Sequence, residues 1–235
     1  MTPTPCPRCL GRGVRIEVRN GRKVAVECDC TPAPAAETAS LVPPRFEACA
    51  FDNFQTFKKK ELMTAKEACA EFVKHFPAVE YGLLLAGPNG TGKSHLAAAL
   101  LKAVAARTGI RGHFADYSNL VFRVQSILSA GAEETMEEIT APLFRSPLLV
   151  IDGLGSVKGN AWFLDILFEA VNQRYLNRLP LVVTTHFAAD PRERDALVDR
   201  VGDALVSRLM EMCRVVKLVG HDHRREVLQN SIQGP

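Results

Sequence analysis

The stretch Tyr81 to Ser94, YGLLLAGPNGTGKS, limits the chain more than any other: an apolar run, then a glycine-rich turn closing on Lys-Ser, then the helical pattern HLAAALLKAV. Gly87, Gly90 and Gly92 let the backbone turn tightly enough for its N–H groups to face a polyphosphate. The helix that starts at Lys93 adds its own unpaired N–H groups and dipole. In a GxxxxGKS motif the Lys93 ammonium reaches the terminal phosphates and the Ser94 hydroxyl is a ligand of Mg²⁺. Pro88, Asn89 and Thr91 complete the loop, and His95 stands in the first helical turn beside it. A strand before and a helix after separate a phosphate loop from a chance glycine-rich turn, and the sequence has both.

Apolar runs after the loop set the fold class. Strand-like runs at 112–116, 147–152, 181–185 and 214–219 alternate with helical periodicities. These span about 58–75, 93–107, 117–130, 133–144, 160–178 and 202–212, with a further helical stretch opened by Asp190 and Pro191. Such alternation predicts an α/β fold, a parallel sheet with helices on both faces. The run PLLVID ends in Asp152, which places one carboxylate at a strand end, where it can join the water shell of Mg²⁺. Cys49, Cys69 and Cys213 read as small core residues, and Trp162 as the start of a helix packed on the sheet. His75 and His113 have no metal-like partners in sequence; His221 and His223 read as an exposed polar turn, and Lys58 to Lys60 as a solvated helix start.

The N-terminus is of another kind. Cys6-Pro-Arg-Cys9 and Cys28-Asp-Cys30 flank two alternating strands that turn near Asn20-Gly21. A three-residue loop of Asn20, Gly21 and Arg22 sets Val18 opposite Val24 and Ile16 opposite Val26, and is expected over a two-residue turn. So small a piece cannot bury enough surface to hold itself together, and four thiolates on one Zn²⁺ would stabilise it. An iron–sulfur cluster, a redox pair and free thiols are the alternatives. Residues 1–31 form this module, 32–45 a Pro/Ala-rich linker and 46–235 the main domain. The net charge of +3 sits wholly in residues 1–31, with six basic and three acidic side chains, since the remainder has 23 of each. A small basic piece suits nucleic acid or an acidic partner surface, or is simply a solvated face. No apolar run approaches the roughly 20 residues of a membrane helix. MTPTPCPRC lacks the plan of a secretory signal, so a cytoplasmic location is expected, with cysteines reduced or metal-bound.

GPNGTGKSHLA, LLVIDGLG, NQRYLNRLPLVVTTH and GDALVSRLMEMCRVVKLVGHDHR, in that order between Phe51 and Arg225, resemble AAA+ ATPases of the DnaC/DnaI type, loaders of the replicative helicase. Transposition helper ATPases of the IstB type share most of these motifs. The resemblance implies a P-loop AAA+ fold with ATP, Mg²⁺ and, through the N-terminal module of Cys6, Cys9, Cys28 and Cys30, Zn²⁺. It implies Gly87 to Ser94 as Walker A and Asp152 as the first acid of Walker B. Arg208 matches the arginine finger offered to the ATP of a neighbouring subunit, and Arg224 the sensor-2 arginine; Lys93, Asp152 and Arg208 form the implied catalytic set. Implied partners are a DnaB-type replicative helicase, single-stranded DNA and further copies of the chain. The sequence ends soon after Arg224, so the helical lid is expected to be reduced or absent.

The chain departs from the family pattern at three positions. Gly153 stands where a second acid usually orients the attacking water, His186 where sensor 1 is usually Asn, and Ala204 where the pattern has an arginine ahead of Arg208. Binding groups survive while water-orienting groups do not, which implies firm ATP·Mg²⁺ binding with slow hydrolysis. A helicase loader is the leading expectation. A transposition helper acting on duplex DNA and a non-catalytic nucleotide-binding regulator of a replication protein are the alternatives.

Overall fold

The computed structural model describes residues 8–9, 14–19, 22–29, 41–128, 134–190 and 192–225. A hairpin of β1 (Val14–Arg19) and β2 (Arg22–Glu27) comes first. The main domain follows: α1 (Lys60–His75), β3 (Gly82–Ala86), α2 (Lys93–Thr108), β4 (His113–Asp116), α3 (Tyr117–Leu128), α4 (Met136–Arg145) and β5 (Leu149–Asp152), then α5 (Ala161–Leu176), β6 (Leu181–Thr185), α6 (Val198–Val201), α7 (Asp203–Met212) and β7 (Cys213–Lys217). Strands β4-β5-β6-β3-β7 lie side by side in that order, and every pairing is parallel. The expected α/β class is what the fold shows.

Burial follows from this layering. Strands β3, β5 and β6 are buried along their whole length, as strands covered on both faces must be. Successive side chains point to opposite faces, so Leu83 and Leu85 join the core under α1 and α2 while Leu84 joins the core under α3, α4, α5 and α7. Between β3 and β4 the chain passes over β6 and β5, so the loop leaving β3 opens at the carboxyl ends of the central strands. Open α/β sheets bind ligands there.

Local chemistry sets the helix ends. Thr135 and Glu138 form a reciprocal capping box at the start of α4. The Asn160 side chain accepts from the Phe163 N–H at 2.8 Å at the start of α5. Burial pushes the thiols of Cys69 and Cys213 up to about 12, as expected of core cysteines; Cys49 is half-buried.

Two expectations are corrected. The hairpin pairs Arg19 with Arg22 and Val18 with Lys23, which leaves only two residues in the turn rather than three. Asn-Gly is the pair that two-residue turns favour, and that preference overrides the wish to align the valines. Val18 is accordingly 67% exposed. The stretch opened by Asp190 is not a helix until the four residues of α6. The Asp190 carboxylate accepts from the Arg192 backbone N–H at 3.0 Å and from its guanidinium at 2.8 Å. A side chain that bonds the backbone two residues on makes a turn in place of a helical ladder.

Arg174 of α5, fully buried, joins the two halves of this core. Its guanidinium donates to the carbonyls of Leu143, Ser146, Pro147 and Pro180, tying the entry of β5 to the entry of β6. Truncating it would strand those carbonyls out of reach of water. Arg174→Ala is expected to lower the unfolding free energy by roughly 3–5 kcal/mol, measured by chemical denaturation; a loss within experimental error would contradict this role.

Candidate nucleotide site

The phosphate loop begins where β3 ends. The Gly87 N–H donates to the Thr185 carbonyl at 3.2 Å, which holds the loop against β6. Gly87 has φ 151°, and a Cβ there would collide with the Leu218 carbonyl, so the strand after it can approach only because the side chain is missing. Gly92, at φ 92°, is the N-cap of α2. Inside the curl the Lys93 ammonium donates to the Gly87 carbonyl at 2.7 Å and the Pro88 carbonyl at 2.6 Å. The Thr91 hydroxyl donates to the Pro88 carbonyl at 2.9 Å. Lys93 is buried, and desolvation pushes its pKa down to about 8; Asp152 opposes the shift and Arg224 adds to it.

Asp152 closes the site from β5. It is buried, its Oδ1 accepts from the Thr184 hydroxyl at 2.6 Å, and the same hydroxyl accepts from the Gly153 N–H at 2.8 Å. Burial raises its pKa, hydrogen bonds from Thr184 and Ser94 lower it, and the neighbouring Asp116 raises it again. Ser94 and Asp152 are thus brought together as hard oxygen donors, the set that suits Mg²⁺. Gly153 turns away from the strand at φ 74°. His186, just after β6, has its pKa lowered by burial and then by Lys93 and Arg200, with Asp195 opposing, and its ring centroid lies 4.1 Å from that of Phe187. Arg200 lies over the Phe187 ring and donates to the Gly155 carbonyl at 2.9 Å.

The segment 221–225 folds over the loop. The His223 N–H donates to the Gly90 carbonyl at 3.3 Å, and the Asp222 carboxylate accepts from the Arg224 N–H at 3.1 Å. Arg224 and Asp222 both act electrostatically on Lys93, which places the expected sensor-2 arginine beside the phosphate loop. A cavity of about 200 Å³ opens next to them, lined by Phe54, Phe57, Leu62, His95 and His223 among others. Phe54 meets the His95 ring edge-on and Phe57 tilts against His223. His95 also bonds the Ala50 carbonyl at 2.8 Å. Aromatic faces with a polar rim suit a planar base. His221 and His223 are exposed, as expected, yet both line the cavity, a role their sequence context did not suggest. Phe54 and Phe57 belong to the stretch RFEACAFDNFQTF before α1, and its aromatic content is the one sequence signal for them.

Other expected residues lie elsewhere. Arg208 faces α5, donating to the Asn172 side chain at 2.9 Å and the Ala204 carbonyl at 3.1 Å and lying over the Phe168 ring at 4.5 Å. These contacts tie Arg208 to α5 and to the first turn of its own helix. Of the expected zinc ligands, Cys9 is buried and Cys28 half-buried, while Cys6 and Cys30 lie outside the described residues. Among the described residues no three His, Cys, Asp or Glu side chains gather as a metal group, and no helix is long and apolar enough to cross a membrane.

Phe57 is 53% exposed, so its removal tests the cavity without emptying the core. Phe57→Ala is expected to weaken nucleoside triphosphate binding about 3–10-fold while leaving inorganic triphosphate binding unchanged, read by titration calorimetry. Equal weakening of both ligands would mean that no base stacks there.

The chain is similar to several known proteins. The chain is 30% identical over 199 residues to a putative ATP-binding protein in an insertion sequence of Mycobacterium tuberculosis, covering 81% of this chain and 74% of that one. It is 25% identical over 201 residues to the uncharacterized protein YqaM of Bacillus subtilis, covering 80% of this chain and spanning only 61% of YqaM. The crystal structure of the DnaC helicase loader superposes with a TM-score of 0.65 at 29% identity, covering 75% of this chain and 100% of that chain. Residues 44–231 match the family of IstB-like ATP binding proteins, and with its phosphate loop, buried Asp152 and parallel sheet the chain belongs to that family.

Proposed function

We propose that the protein is an ATP-switched loader of a replicative DNA helicase, which binds the helicase and assists its placement on single-stranded DNA. The observation that carries this reading is the contrast inside one site. Lys93, Ser94, Asp152 and Arg224 converge on the phosphate loop, whereas Gly153 brings no carboxylate to orient a water. A site of that kind holds ATP·Mg²⁺ for long periods, and nucleotide identity then biases assembly more than it supplies work. Lys93 and Arg224 would meet the terminal phosphate, Ser94 and Asp152 would hold Mg²⁺, and the aromatic cavity would take the adenine. When bound, Mg²⁺ would neutralise phosphate charge. Arg208 on α7 would serve the nucleotide of a second copy. Cys6, Cys9, Cys28 and Cys30 would bind Zn²⁺ in a module of residues 1–31, joined by a linker of residues 32–45 to the ATPase domain, and the protein would act in the cytoplasm.

The DnaC loader likeness favours this reading, since this chain covers the whole of that structure. The insertion-sequence relative favours a second one, a transposition helper that assembles on duplex DNA.

Native mass spectrometry with the DnaB-type helicase of the same genome separates the two. A complex that changes between ATP and ADP, and loses that response in Lys93→Ala, is the outcome expected of a loader. No complex under either nucleotide, together with ATP-dependent binding to duplex DNA, would replace it with the helper. Slow turnover has its own test. A Cβ at Gly153 meets nothing nearer than Ser156 at 3.5 Å, and Asp tolerates positive φ at a cost of about 1–2 kcal/mol. Gly153→Asp is therefore expected to raise phosphate release about 10-fold or more at unchanged ATP affinity. Unchanged release would show that something else limits turnover.

A further inference from the structure

The neighbour of Asp152 on the other side from Thr184 is unexplained by the site as described. Asp116 ends β4 and is the register partner of Asp152, so the two side chains share one face of the sheet. With Thr184 bonded to Asp152 from β6, the strand ends present a row of Asp116, Asp152 and Thr184. The middle residue is buried and committed to its hydrogen bonds, but Asp116 is exposed and faces water. Its Oδ1 accepts from the Asn119 N–H at 2.7 Å, which fixes the carboxylate at the head of α3. Two residues after Asp116, the Ser118 hydroxyl sits 2.9 Å from that of Ser156, tying the head of α3 to the turn that begins at Gly153.

Capping alone does not explain an acid here. Asn and Ser cap a helix as well as Asp does, and neither sets a second negative charge beside a buried carboxylate. Asp116 does so, from the register position beside Asp152 and with its carboxylate exposed at the strand ends.

We propose that Asp116 supplies, from the neighbouring strand, the water-orienting carboxylate that position 153 lacks. The inference rests on the reading above of a site that binds ATP and turns it over slowly. In the step assigned to it, the water oxygen forms a bond to the γ-phosphorus. The bond from that phosphorus to the β–γ bridging oxygen breaks, and its electron pair leaves with ADP. Asp116 takes the proton released by the water and returns it to solvent, so ATP and water give ADP, inorganic phosphate and a proton. Asp116 acts from farther along the row than a residue at 153 would, which is consistent with slow turnover.

The test uses the full chain and the variants Asp116→Asn, Asp116→Ser and Asp116→Glu. Asn and Ser keep the cap and remove the charge. Both are expected to retain the unfolding midpoint and the affinity for a non-hydrolysable ATP analogue within about 2-fold, and to lower phosphate release about 10-fold or more. Affinity for ADP with aluminium fluoride, which mimics the transferring phosphoryl group with its in-line water, is expected to fall by a similar factor. Asp116→Glu is expected to recover part of both. Wild-type release and wild-type aluminium fluoride affinity in Asp116→Asn would overturn the proposal, as would a wild-type protein that binds ATP and releases no phosphate. A wild-type protein that fails to bind the ATP analogue at all would overturn the nucleotide-switch reading itself, and this inference with it.

Discussion

The hydrogen bond from Thr184 to Asp152 is the contact on which the site depends. A carboxylate as buried as Asp152 is costly unless donors surround it, and the donors come from two places. Thr184 belongs to β6 and Ser94 to the first turn of α2. Both must arrive in register, so the site inherits the order of the sheet. The side-by-side packing of β5 and β6 supplies one donor, and the packing of α2 against β6 and β5 supplies the other. Thr184 also accepts from the Gly153 N–H, so the same hydroxyl sets where the chain turns away from the strand. Loss of sheet register by one residue would turn Asp152 to the opposite face and dissolve the whole arrangement.

Around that bond the charges are arranged asymmetrically. Lys93 sits inside the phosphate loop with Arg224 acting on it, and Arg200 lies over the Phe187 ring beside His186. The Lys93 ammonium rests on carbonyls of its own loop, and desolvation has already weakened its hold on the proton. A polyphosphate offers that ammonium stronger acceptors than two carbonyls do. Binding is thereby linked to segment 221–225, because Arg224 and Asp222 act on the same ammonium while His223 bonds the loop at Gly90. On the proposed reading this segment is where nucleotide state becomes a change of shape.

The parts legible in the sequence were those whose chemistry is local. GPNGTGKS, the run ending in Asp152 and the alternation of strands with helices each declare themselves within a few residues, and the fold has them. The hairpin register was misjudged because the valines argued for one pairing and Asn-Gly for another, and turn chemistry prevailed. Asp190 looked like a helix start because a carboxylate that caps and one that closes a short turn are the same residue in sequence. The aromatic cavity was hidden because Phe54 and Phe57 precede α1 while His221 and His223 follow β7, and only the folded sheet brings them together. Asp116 was hidden differently. By itself it is an ordinary helix cap, and only the register of β4 against β5 sets it beside Asp152.

Whether the missing acid at 153 is a packing necessity can be decided from the geometry. Gly153 adopts φ 74°, a region that disfavours most side chains and so favours glycine. Yet a Cβ there would meet only Ser156, at the ordinary contact distance of 3.5 Å, and Asp and Asn are the residues that enter that region most readily after glycine. The N–H that bonds Thr184 would be present in either. The turn therefore admits a carboxylate at a small cost, and neither the sheet nor the phosphate loop forbids it. On the proposed reading, slow hydrolysis is then a property of the residue at 153 and not of the fold, and a nucleotide site that binds firmly, with its water-orienting acid displaced to the next strand, is suited to holding a bound state until a partner arrives.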